Sequence, residues 1–190
     1  MSIVLMIRHA EKPLPGGAAQ GVTAEGLADR ESLTPRGWQR AGALVPYFVD
    51  GSGGPGSSGL PVPEHLIASQ IGPKSSSARP VESLEPLAAR LGLVVDTRFL
   101  KEDVSALGGA LATIEGVTLM SWEHKLIPSI AFALVGQPSV VPRIWPDDRY
   151  DIVWVLERPA GASTFRFRQV PQLLLAGDSA APIADTPPTS

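Results

Sequence analysis

The chain has 190 residues and a formal net charge of -3, from 16 Lys and Arg against 19 Asp and Glu. That length suits one well-cored domain, and the charge gives no basic excess to draw the chain to nucleic acid or an anionic membrane. Cysteine is absent and there are three histidines, which excludes disulfides, thiol catalysis and cysteine-held metal and argues against a His-rich metal site.

Residues 3–7 form a continuous apolar run, the pattern of a strand buried on both faces, and end at Arg8-His9. The run is far shorter than the roughly 20 residues of a membrane helix. It also lacks the basic start and small-residue cleavage site of a signal peptide, so the expected compartment is the cytoplasm. Residues 13–33 read as a loop. Thr34-Pro35 is a helix start, with Thr as N-cap and Pro first in the helix, and Trp38, Ala41, Leu44, Val45 and Phe48 recur at helical spacing through Val49. Residues 50–63 are Gly-, Ser- and Pro-rich loop.

A short strand is predicted at 65–68, a polar loop at 69–77, and a helix at 80–91 closed by Gly92. Then come a strand at 93–95, a weaker helix at 104–114 interrupted by Gly108-Gly109, and a strand at 117–122. A helix beginning near Lys125 carries an apolar stretch at 128–135. Strands at 151–156 and 164–170 flank a turn at 159–161, and the small, Pro-rich residues 177–190 read as a disordered tail. Alternating strands and helices imply a mainly parallel sheet, with the last two strands as an antiparallel hairpin at its edge.

Two histidines share one setting, since His9 follows the first strand and His124 the strand 117–122. Ligands in open α/β sheets bind beyond the carboxyl ends of parallel strands, so both can face one pocket. Arg8 adjoins the first histidine, and Arg79 ends the Ser-rich loop after another strand. Two arginines and two histidines converging on one point suit a phosphate dianion: the guanidinium fork matches its oxygens, and a neutral imidazole can attack phosphorus.

The segment Ile7-Arg8-His9-Ala10-Glu11 resembles the Arg-His-Gly signature of the histidine phosphatase (phosphoglycerate mutase-like) superfamily. Leu33-Thr34-Pro35-Arg36-Gly37 with Gln39-Arg40-Ala41 is similar to that family's Leu-Thr-x-x-Gly-x-x-Gln-Ala segment. Ser77-Ala78-Arg79-Pro80-Val81-Glu82-Ser83 resembles its Ser-x-x-Arg-x-x-x-Thr segment, and Met120 to His124 the strand ending in its second histidine. The resemblance spans residues 3 to about 136, in order. It departs from the pattern at Ala10, which stands where the family has Gly, and in the longer loop 71–77.

The resemblance implies an α/β three-layer sandwich with a mainly parallel central sheet, residues 1–176 forming one domain and 177–190 a tail. It implies a phosphomonoester hydrolase in which His9 takes up the phosphoryl group, Arg8 and Arg79 hold its oxygens and His124 adds a hydrogen bond, with no metal and no cofactor. The proton donor is expected at Glu102, with Asp103 or Glu11 as alternatives. The expected partner is a small phosphorylated substrate or a phosphorylated side chain, with no nucleic acid and no membrane. Residues 12–33 and 50–62 are expected to form the lid. Two other functions stay open, a mutase-type phosphotransferase and a catalytically silent phospho-ligand-binding module. Blander roles stay open for single residues. Arg79 could pair with Glu82 or Glu85 on a helix surface, Arg36 and Arg40 could be a solvated helix face, and Trp122 could line the pocket rim or the core.

Overall fold

In the computed structural model, which describes residues 1–137 and 140–185, strand β1 (Ser2–Arg8) runs through the centre with all seven residues buried. It pairs in parallel with β4 (Gly116–Trp122) and antiparallel with β5 (Ile152–Arg158). With β2 (His65–Ala68), β3 (Val95–Asp96) and β6 (Arg166–Pro171), the sheet order is β3-β2-β4-β1-β5-β6. Strands β1 to β4 are mutually parallel, and β5–β6 is the expected hairpin.

The continuous apolar run of β1 serves two cores at once, because alternate side chains leave opposite faces of a strand. Val4 and Met6 pack with Ile130, Leu134 and Trp154 under α4 (Val104–Thr113) and α5 (Ile127–Val135). Ile3, Leu5 and Ile7 pack with Leu44, Phe48, Leu84 and Leu87 of the other face. That face carries α1 (Pro35–Phe48), α2 (Arg79–Glu82) and α3 (Glu85–Leu91). Helices on both faces of one sheet make the three layers read from the sequence.

The helix expected at 80–91 is two helices. Pro86 has no N–H to offer the carbonyl of Glu82, so the chain tightens at Ser83 and Leu84 before α3 starts. The strand expected at 93–95 pairs only at Val95 and Asp96, while Leu93 closes α3 through a hydrogen bond to Ala88 and Val94 is exposed. The loop at 50–62 lies away from the ligand end of the sheet. It folds back on the C-terminal end of α1, where Gly56 N–H donates to the Phe48 carbonyl, and receives Arg90 from the end of α3.

Residues 177–185 are ordered against the sheet rather than forming the expected tail. Asp178 accepts from the backbone of Leu174 and Leu175, Ser179 donates to Asp151, and Ile183 is buried and bonded in both directions to Gln169. A small-residue composition hides this, because much of the attachment runs through backbone groups, at Ser179, Ala181 and Ile183, which leave no mark on composition. Residues 186–190 lie outside the described residues.

Candidate active site

His9 N–H donates to the Trp122 carbonyl at 3.1 Å, extending the β1–β4 ladder by one residue. This sets His9 beside Glu123 and His124 at the carboxyl ends of adjacent parallel strands, with Ser69 following β2 in the same row. A cleft of about 100 Å³ opens there, lined by His9, Lys12, Ser69, Ser77, Arg79, Lys101, Glu123 and His124 among others. Three of the four core residues of the resemblance, His9, Arg79 and His124, line this one cleft.

The motif residues around them have identifiable mechanical tasks. A Cβ at Gly37 would stand 2.5 Å from the Glu11 carbonyl oxygen, so glycine lets α1 begin directly against the chain leaving His9. Thr34 caps α1 by accepting from Gly37 N–H and donates its own hydroxyl to the Glu11 carbonyl. Glu82, buried, accepts from Leu33 N–H at 2.8 Å. Ser83 accepts from Ala10 N–H at 2.8 Å and donates to the Arg79 carbonyl at 2.7 Å, tying the turn after His9 to the helix that carries Arg79. Ala10 lies outside the left-handed region, which is why it can replace glycine there.

His9 is buried, and its Nδ1 lies 2.8 Å from the Ala10 carbonyl. A carbonyl can only accept, so Nδ1 carries the hydrogen and Nε2 keeps the lone pair. Burial, reinforced by the positive charge of Arg8, Arg79 and Lys12, pushes the His9 pKa down to about 3. The ring is therefore neutral at physiological pH.

Arg79 donates to the Arg30 carbonyl at 2.9 Å and faces Glu31 at 3.6 Å, and its buried Nε is unpartnered. It pairs with neither Glu82 nor Glu85. Arg8 is also buried, but its Nη1 donates to the carbonyls of Pro146, Asp147 and Arg149, and its guanidinium lies 3.8 Å from the centre of the Tyr150 ring. Its Nε and Nη2 have no partner. Arg8 is not among the residues that line the cleft. Burial lowers the His124 pKa, with Arg8 and Lys12 adding to the effect and Asp147 opposing it.

None of the three expected proton donors lines the cleft. Glu102 is exposed and belongs to a neighbouring depression, and Asp103 turns back to accept from Leu100 N–H. Glu11 is held by Arg40 at 2.9 Å and Arg36 at 3.3 Å. The carboxylate that does line it is Glu123, 3.1 Å from Lys101. Arg40 is no solvated helix face. It is 3% exposed and binds Glu11, Gln172 and Asp178 together. Trp122 is core, fully buried, and its indole N–H fixes the Lys101 carbonyl at 3.1 Å.

Lys12 lines both this cleft and a wider groove of about 630 Å³ bounded by Leu14, residues 17–19, the start of α1, Asp147, Asp148, Tyr150, Asp151 and Asp178. Of the two expected lid segments, the first reaches the site and the second does not. Sequence reasoning missed Lys12, Ser69 and Asp147. Lys12 stands three residues after His9, a detectable spacing, whereas Asp147 lies in a stretch that no motif reached.

No protein-family model and no curated protein matches the chain. Solved structures do. The protein histidine phosphatase SixA in complex with tungstate aligns with a TM-score of 0.57 and 16% identity, over 90% of this chain and 97% of that one. A SixA described as a putative phosphohistidine phosphatase, from Agrobacterium tumefaciens, gives 0.51 and 16%, over 88% and 94%. A mycobacterial glucosyl-3-phosphoglycerate phosphatase gives 0.52 and 14%, over 90% and 98%. Over nearly its whole length, this chain has the mixed α/β fold of the histidine phosphatases.

Proposed function

We propose that the protein is a metal-independent phosphomonoester hydrolase of the cytoplasm that works through a phosphohistidine on His9. One observation carries this reading: a buried histidine with a free Nε2 lines a cleft shared with Arg79, Lys12 and a second histidine. Nε2 attacks phosphorus, the P–O bond to the leaving group breaks, and the leaving oxygen takes a proton from solvent water. Water then attacks the phosphohistidine, returning Nε2 and releasing phosphate. Phosphoryl transfer spreads charge over three equatorial oxygens, so fixed cations supply much of the stabilisation. Arg79, Lys12 and Lys101 provide them at the cleft, and the charge of Arg8 acts on both histidines from nearby.

The substrate is a small phosphorylated molecule or a phosphorylated side chain, with its non-phosphate part in the groove beyond Lys12. The likeness to a protein histidine phosphatase and to a sugar-phosphoglycerate phosphatase is compatible with both classes. The test is phosphate release from an aryl phosphate without added metal, wild type against His9→Ala, with mass spectrometry of the protein quenched at alkaline pH. Release by wild type alone, with a phosphate trapped on His9, is expected. Vanadate binding without release would favour the silent phospho-ligand module. Transfer of the phosphoryl group to an added alcohol in preference to water would favour the phosphotransferase.

A further inference from the structure

The segment 145–151 touches both ends of the cationic constellation. Its carbonyls at Pro146, Asp147 and Arg149 accept from Arg8, and its Asp147 carboxylate lies 2.5 Å from His124 Nε2. The segment is braced in turn. Trp145 Nε1 donates to the Arg149 carbonyl, and Arg149 binds Asp151 and the Ala181 carbonyl. The other ring nitrogen of His124, Nδ1, is buried without a partner, and the residue is 2% exposed.

A carboxylate only accepts, so Nε2 must carry the hydrogen. In a neutral ring this leaves a lone pair on Nδ1, which would repel a phosphoryl oxygen. Only the imidazolium bears N–H on both nitrogens. Resting on the hydrolase reading above, we infer that Asp147 is a positioning residue that pins His124 through Nε2–H and favours its imidazolium form once a phosphoryl dianion is bound, so that Nδ1–H donates to the transferring group. Arg8 from the end of β1 and Lys12 from the loop after it oppose that charge, as does burial, while Asp147 favours it. Arg79 and the Lys101–Glu123 pair share the cleft, and Lys125 adjoins His124 and acts on Asp147. A bound phosphoryl dianion adds to the side of Asp147.

The test compares wild type, Asp147→Asn and Asp147→Glu. Asparagine keeps an acceptor for Nε2–H and leaves the backbone carbonyl of residue 147 on Arg8, removing only the charge. Two readouts are taken: 15N NMR titration of the His124 ring with and without vanadate, and the pH profile of kcat/KM on an aryl phosphate. In Asp147→Asn the His124 midpoint moves to lower pH in both ligand states. The alkaline limb of the profile moves with it, so the variant loses tenfold or more at pH 8 and less than threefold near its own acidic optimum. Asp147→Glu recovers part of the shift. An unchanged His124 midpoint, or a loss equal at every pH, overturns the inference. Wild type inert on every phosphate ester would sink the hydrolase reading instead, and the vanadate titration would still decide the role of Asp147.

Discussion

At the scale of single residues, the site divides into groups that touch the cleft and groups that stand behind it. Arg79→Met should lower kcat/KM on an aryl phosphate by roughly 10²- to 10³-fold, the usual cost of a lost donor to a developing oxyanion, with weaker vanadate binding by calorimetry. Glu102→Gln should leave the same rate within about threefold, because Glu102 faces a separate depression; a larger loss would return it to the role of proton donor. His9 also couples folding to pH. Its pKa is about 3 when folded against an ordinary 6.5, so between those values the unfolded chain binds a proton that the folded one refuses. Stability therefore falls as pH drops through 6.5 towards 3. From pH 7.5 to 5, denaturant titration of wild type should lose about 2 kcal/mol more than that of His9→Gln. Of these residues, His9, Arg79 and His124 were legible because each follows or opens an element whose pattern is strong. Asp147 was not legible, because its partner lies 23 positions away and the segment between the apolar stretch 128–135 and the next strand carries no motif.

At the scale of elements, the motif glycine of α1 tests whether the spacing in the sequence encodes packing. In Gly37→Ala the new Cβ would meet the Glu11 carbonyl oxygen at 2.5 Å, and backbone atoms cannot swing aside as a side-chain tip can. The helix start or the turn after His9 must shift, so stability should fall by about 1–3 kcal/mol and turnover with it, read by thermal unfolding and initial rates. A variant with wild-type stability and rate would mean that the turn is looser than its contacts suggest. Most elements were readable because period-2 and period-3.6 patterns leave direct marks. The break between α2 and α3 had its signal in Pro86, outweighed by an apolar stripe running across both helices. Loop 50–62 was misplaced as a lid because Gly- and Ser-rich composition reports conformational freedom and says nothing of which end of the sheet a loop occupies.

At the scale of the whole molecule, the C-terminal residues close a circuit that begins next to His9. Glu11 binds Arg40, Arg40 binds Asp178, and Asp178 is fixed by the backbone of residues 174 and 175. The side chains of Arg40 and Asp178 are 3% and 4% exposed, so this is a buried pair. Removing one partner of such a pair typically costs about 3–5 kcal/mol, because the other charge stays behind in a poorly solvated place. Arg40 keeps Glu11 and Gln172, which puts Asp178→Ala below that range, at about 2–3 kcal/mol. Ending the chain after Ala176 removes in addition the buried Ile183 and its two hydrogen bonds to Gln169. That truncation should therefore destabilise more than Asp178→Ala, by differential scanning calorimetry. The circuit also predicts where the loss appears. Hydrogen exchange should quicken first in the turn after His9 and the start of α1, and last in β1 and β4, which keep their full ladder. Truncation with no change in melting temperature would show that residues 177–185 rest on the sheet without holding it.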